Sequence, residues 1–271
     1  MNFLTTIAIA AAATAVSGQP VAIEGLQGLG DTHHHVLASE LLDKSYHVLV
    51  GLPPGYDPSG DTTYPTVYVL DGGELYPMLS SYSRYLRNGG EIPEMILVAV
   101  SYGTDDWERG NARGQDYTAP TDEREHWGGA AEFQEFLSDE LMPFIEDRYR
   151  SRSDRRIIFG QSLGGQFVLY TAQTKPELFW GHIASNPALH RNLALFLSMH
   201  PESPDSQSHL FVASASNDDP RFKGPAMEWI EHWSEQVHKP WRMRVEILEG
   251  HNHFSAPPAS FRRGIRWLFT D

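Results

Sequence analysis

The chain reads as an α/β protein: a mostly parallel central sheet with helices on both faces. Three features predict this. Short apolar, β-branched runs alternate with amphipathic stretches of helical length along most of the sequence, the pattern of successive βαβ units. The run 95–101 (MILVAVS) is apolar without alternation, as a strand covered on both faces requires. At 156–170 (RIIFGQSLGGQFVLY) a short strand passes through a glycine-flanked serine straight into a helix.

The 271 residues are 41% hydrophobic, enough for one large domain, expected over 19–271. The net charge of −14 argues against nucleic acid and anionic membrane as partners. It also disfavours highly anionic substrates unless local arginines counter the field. The chain has no cysteine, so disulfides, thiolate catalysis and cysteine-based zinc sites are excluded. Residues 1–18 (MNFLTTIAIAAAATAVSG) carry a short Ala-rich apolar run followed by small residues, as in a secretory signal, although no Lys or Arg precedes it. Export to the periplasm or beyond is therefore expected. No later apolar run approaches the ~18 residues of a membrane span.

In chain order, 19–30 is a Gly-rich lead-in. His33, His34 and His35 follow; neighbours on a strand point to opposite faces, so the three cannot converge on one metal ion. Residues 46–52 and 64–70 read as strands joined through short turns, forming an antiparallel edge. The second runs into Asp71-Gly72-Gly73-Glu74, where a glycine pair lets backbone N–H groups approach a ligand. Residues 77–88 read as helix and 95–101 as a central strand. The polar, aromatic and Arg-bearing connection 102–127 is long enough to be functional. It is expected to wall a substrate site through Trp107, Arg113 and Tyr117. Residues 130–149 space their apolar side chains as an amphipathic helix, with Pro143 marking a kink or a second start. After the glycine-flanked serine come strand 181–185, helix 189–199, a Ser/Pro/Asp linker at 201–208 and strand 209–215. Helix 225–237, strand 241–248 and helix 258–269 complete the pattern.

The chemistry centres on Gly160-Gln161-Ser162-Leu163-Gly164. Set between strand and helix, G-x-S-x-G makes a sharp turn that projects the Ser162 hydroxyl at the carboxyl end of the sheet. The Leu163 N–H then sits at a helix start, where a developing oxyanion can be held. The turn after the strand at 64–70 supplies a second donor, assigned to Gly73. A serine needs a base, and the base needs a partner that fixes its tautomer. In this architecture the order is Ser, then an acid, then His. The acid lies after the strand at 209–215, where Asp218 is favoured and Asp219 is the alternative. The base lies after the last strand, where His253 is favoured over His251. Zinc held by His251 and His253 is the weaker reading, for want of a third ligand.

Six segments together carry a family resemblance: LPPGYDP (52–58), YPTVYVLDGG (64–73), DYTAPTD (116–122), GGAAEFQEFLSDELMPFIEDRYR (128–150), GQSLGG (160–165) and HNHFSAPPASFRRGIRWLF (251–269). The chain resembles the esterase family of α/β-hydrolases that includes siderophore esterases, S-formylglutathione hydrolases, feruloyl esterases and mycolyltransferases. The resemblance implies an α/β-hydrolase fold and a Ser162–His253 catalytic pair, since members carry His-x-Ser before the final helix. It implies Gly73 and Leu163 as oxyanion donors and leaves the acid among residues 217–219. Many relatives have His where this chain has Gln161, a difference expected to leave the chemistry unchanged. The expected function is hydrolysis of a small-molecule carboxylic ester through an acyl-enzyme, with no cofactor or metal. Two alternatives are a siderophore trilactone esterase, with Arg109 and Arg113 meeting the anionic chelate, and a secreted binding protein that kept the fold without catalysis.

Overall fold

The computed structural model describes residues 27–121, 124–199 and 207–270. The expected export segment, most of the lead-in and most of the 201–208 linker lie outside the described residues.

Eight strands form one sheet: β1 (Asp31–Ser39), β2 (Lys44–Leu52), β3 (Tyr64–Val69), β4 (Ile96–Ser101), β5 (Ser151–Gln161), β6 (Gly181–Ser185), β7 (His209–Ala215) and β8 (Arg242–Leu248). Their spatial order is β1-β2-β4-β3-β5-β6-β7-β8. β1 and β2 pair antiparallel, as do β2 and β4, and every later pairing is parallel. An antiparallel edge and a parallel body are both present, but the edge is β1 and β2. β3, expected to share that edge, lies inside the body, parallel to β4 and β5, because β4 inserts between it and β2. The order doubles back at β3, so the chain leaves β5 next to the end of β3, and loops from both strands meet at the carboxyl edge of the sheet.

The helices are α1 (Gly72–Asn88), α2 (Arg113–Asp116), α3 (Ala130–Glu135), α4 (Met142–Arg148), α5 (Leu163–Thr174), α6 (Leu193–Ser198), α7 (Pro220–Glu235) and α8 (Pro257–Thr270). Strand alternation sorts them into two layers. Val67, Val69, Ile157, Phe159, Ile183 and Phe211 face α1 and α8. Tyr68, Ile158, Ala184, Leu210 and Val212 face α3 to α7. Trp241, just ahead of β8, packs against Trp233 of α7 and donates its indole N–H to Ala172 O at 2.6 Å, which ties α5 to this layer. Burying such a ring stabilises the fold by about 3 kcal/mol.

Several boundaries differ from the sequence expectation for identifiable reasons. β5 starts at Ser151, well before its apolar part, because its polar beginning pairs with Tyr64 at the rim of the sheet through an irregular register. α1 starts at Gly72 rather than 77, so the glycine pair opens the helix instead of forming a loop. α7 starts at Pro220, whose missing N–H costs nothing in a first helical turn. A π-helical turn, Phe136–Leu141, joins α3 to α4, and Pro143 stands at the first turn of α4. Pro143 therefore marks a second start. On β1 the histidines split as alternation requires. His33 and His35 share the Tyr149 hydroxyl at 2.9 and 2.7 Å, and His34 stacks on His47. Among the described residues no cluster of His, Asp and Glu is placed to hold a metal ion. None of the described helices is long and apolar enough to cross a membrane.

Candidate active site

Ser162 stands between β5 and α5 with φ 59° and ψ −114°, a region that non-glycine residues rarely occupy. Of the glycines around it, Gly160 and Gly165 are forced by contact, whereas a Cβ on Gly164 would meet nothing nearer than 3.4 Å. A Cβ on Gly160 would overlap the carbonyl oxygen of Gly164, and one on Gly165 would lie 2.8 Å from Ser185 O. The Ser162 N–H donates to Ser185 O at 3.0 Å, and its carbonyl accepts from Gln166 and Ala188. Backbone bonds to β6 and to the chain beyond it thus hold the turn, while the Ser162 hydroxyl makes no hydrogen bond among the described residues.

The loops after β7 and β8 are laced together. Ser216 N–H donates to Leu248 O at 3.1 Å, Asn217 N–H to His251 O at 2.9 Å, and Gly250 N–H to Ser216 Oγ at 2.9 Å. This lacing sets Asp218 under His253, with Oδ2 2.9 Å from His253 Nδ1 and its side chain 1% exposed. Asp218 Oδ1 accepts the Asp219 N–H at 2.7 Å. Asp219 itself caps α7, accepting the Arg221 N–H at 2.8 Å. His251 turns away and bonds Ser255 O through Nδ1 at 2.9 Å. Of the alternatives left open by the sequence, only the Asp218–His253 pair is joined. With Nδ1 on the carboxylate, Nε2 is the nitrogen left for a reacting proton.

Three contacts around His253 were not legible in advance. Phe222 stacks on its ring at 4.6 Å and 26°. The Gln161 side-chain amide donates to His253 O at 2.8 Å, so the residue before Ser162 holds the backbone of the histidine loop. Gln161 therefore takes part in the architecture of the site through the loop that carries His253. Phe254 stands edge-on to His253 and is 89% exposed at the mouth of the cleft. Only the adjacency of Gln161 to Ser162 and of Phe254 to His253 signalled them in the sequence.

Ser162 and His253 line one cleft of about 440 Å³ with Met78, Arg221, Phe222, Phe254 and Arg113. A second lobe of about 470 Å³ opens on the Leu163 side, walled by Trp107, Arg124, His126 and Trp127. Trp107 stacks on His126 at 5.3 Å, and the Arg124 guanidinium lies 4.6 Å above Trp127. The 102–127 connection thus walls the cleft. It is anchored by buried Asp116, which accepts from Lys44 Nζ, Tyr46 Oη and Tyr102 Oη at 2.9, 2.7 and 3.1 Å. Burial pushes the Asp116 carboxyl up, and these donors pull the other way. Tyr117 is fully buried behind the site, where its hydroxyl accepts the Asp71 N–H at 3.2 Å; it faces protein rather than a substrate. Arg113 lines the cleft with its guanidinium forked onto Asp71. Gly73 and Leu163 occupy the first turns of α1 and α5, where backbone N–H groups have no intrahelical partner.

Comparison with known proteins places the chain. The family model described as "Putative esterase" matches residues 39–258. The ferri-bacillibactin esterase BesA of Bacillus subtilis is 29% identical over 263 residues, 87% of this chain and 89% of that protein. A siderophore enterobactin esterase of Emericella nidulans is 28% identical over 193 residues, 59% of this chain and 63% of that protein. Among solved structures, an IroE-like serine hydrolase from Shewanella oneidensis shares the fold with a TM-score of 0.76 at 24% identity, covering 88% of this chain and 80% of that one. Matched over most of its length and carrying a serine elbow on this sheet, the chain belongs to the Esterase family and is a carboxylic ester hydrolase of the α/β-hydrolase fold.

Proposed function

We propose that this chain hydrolyses ester bonds in siderophores, with Ser162 as nucleophile, His253 as general base and acid, and Asp218 as the group that orients His253. Ser162 Oγ bonds to the ester carbonyl carbon as its proton passes to His253 Nε2. The carbonyl oxygen, now an anion, rests on the N–H groups of Gly73 and Leu163. His253 returns the proton to the leaving alcohol oxygen as the C–O bond breaks. Water then repeats the cycle on the acyl-enzyme and frees the acid and Ser162. Hydrogen bonds of this kind are commonly long without substrate and tighten in the complex. The imidazolium protonates the alcohol, so the alcohol leaves on the Phe222 and Phe254 side. The acyl group then occupies the lobe beside Leu163.

The observation that carries the substrate class is that lobe: Trp107 stacked on His126, with Arg124 over Trp127, gives flat rings and a cation beside the elbow. Aromatic, anionic acyl groups fit such a wall, and local arginines offset the acidic field of the whole chain. The relatives named above act on ferri-bacillibactin and enterobactin, which supports the same class. A comparison of kcat/KM for a ferric tris-catecholate trilactone, its iron-free form and p-nitrophenyl butyrate tests the proposal. The expected result is a preference of about 100-fold or more for a trilactone, abolished in Ser162→Ala. Ser162-dependent turnover of the simple ester with no trilactone cleavage would leave the esterase chemistry standing and refute the substrate class.

A further inference from the structure

The ion pair between Asp71 and Arg113 sits where the two oxyanion-donating segments meet. Asp71 directly follows β3, and its backbone is left-handed, with φ 54° and ψ 41°. Its N–H donates to buried Tyr117 Oη at 3.2 Å, and its carbonyl accepts the N–H groups of Glu74 and Leu75. That conformation turns the chain sharply enough for Gly72 to pass against β4; a Cβ on Gly72 would lie 2.8 Å from Ala99 Cβ. The Asp71 carboxylate takes the fork of Arg113, Nε to Oδ1 at 2.5 Å and Nη2 to Oδ2 at 3.0 Å. The same Nη2 reaches the carbonyl oxygen of Gln161 at 3.5 Å. Asp71 stands two residues ahead of Gly73, and Gln161 two residues ahead of Leu163. One planar guanidinium therefore spans from the approach to one donor to the approach to the other. The Asp71 carboxylate also packs beside Gly164, 3.4 Å from where a Cβ would stand.

We infer that Arg113, through Asp71 and the Gln161 carbonyl, is a positioning residue that sets the separation between the Gly73 and Leu163 N–H groups. The inference rests on the acyl-transfer reading of Ser162. Arg113 is a poor candidate for a substrate ligand, because its fork is already engaged by a carboxylate that is 12% exposed. Only arginine can do this work: lysine offers a point charge and no rigid fork. An oxyanion donor acts within a narrow range of distances, and a misplacement of about 1 Å costs roughly 100-fold in rate.

The test uses Arg113→Lys, Asp71→Asn and the double variant on p-nitrophenyl acetate, a neutral ester with no anion for Arg113 to bind. The expected result is a fall in kcat of about 10- to 100-fold in each single variant, with KM held within about threefold. The double variant should fall no further than the worse single, because the two act as one unit. Inactivation by a neutral fluorophosphonate, whose phosphoryl oxygen uses the same donors, should slow by a similar factor. Thermal unfolding of each variant separates this from general damage, and the isosteric Asp71→Asn keeps the test alive if Arg113→Lys does not fold. Wild-type kcat in folded variants, or a loss confined to KM for anionic esters, would overturn the inference. Ser162→Ala run alongside keeps the two readings apart. Full activity there sinks acyl transfer itself, whereas an inactive Ser162→Ala beside an unimpaired Arg113→Lys sinks only the positioning role.

Discussion

Asp218→Asn is the substitution for which the structure specifies the mechanism of failure. The carboxylate accepts two bonds, from Asp219 N–H on Oδ1 and from His253 Nδ1 on Oδ2. An asparagine amide cannot accept both. With its oxygen toward Asp219 N–H, its NH₂ faces Nδ1 and moves the imidazole proton to Nε2, where it blocks acceptance of the serine proton. With its oxygen toward Nδ1, NH₂ meets N–H in a site that is 1% exposed, at a cost of about 1–3 kcal/mol. The first arrangement avoids that cost and is the catalytically dead one. A fall in kcat of about 10³- to 10⁴-fold follows, equivalent to about 4–5.5 kcal/mol in the barrier. Steady-state turnover of p-nitrophenyl acetate measures it, and circular dichroism reports the fold. Asp219→Ala is the matched control: it removes a helix cap worth about 1 kcal/mol of stability and leaves turnover within about twofold. If Asp218→Asn retains more than about a tenth of wild-type kcat, the tautomer argument is wrong and Ser162 and His253 act without a third member.

Other substitutions probe the supports of the site. Gln161→Leu removes the 2.8 Å bond to His253 O; kcat should drop about 3- to 10-fold with KM unchanged, in line with one hydrogen bond. Unaltered turnover would show that the loop is held without it. His182 is fully buried on β6, and burial pushes its pKa down to about 3 against a weaker opposing pull from the His209 backbone. The unfolded chain then binds a proton from about pH 6.5 downward while the fold does not, so stability present at neutral pH is lost on acidification. In His182→Leu, urea unfolding should lose about 2 kcal/mol less stability between pH 7 and pH 5 than in the parent; equal losses would refute this. Gly160→Ala drives a methyl group into the Gly164 carbonyl, so a loss of about 3 kcal/mol or more is expected, read as collapse of soluble yield or a lowered urea midpoint.

The elements were legible in the sequence wherever local chemistry decides them. Period-two alternation, the unbroken apolar run of β4 and the glycine-flanked serine are properties of neighbours along the chain, and they fixed the layers and the elbow. Boundaries moved where a distant partner decided, as when Tyr64 drew the polar start of β5 into the sheet. The site followed the same division. Residue type and order pointed to Ser162, Asp218 and His253, because acyl transfer needs those groups in those loops. Choosing Asp218 over Asp219, and His253 over His251, depended on how the loops after β7 and β8 are laced. Arg113 and Tyr117 were placed at the substrate by composition, yet Asp71 occupies the first and burial removes the second. Sequence alone determined which chemical groups the chain carries and the order in which the strands deliver them. Tertiary structure decided which groups meet, because hydrogen bonds between loops far apart in the chain depend on distances that no local pattern encodes.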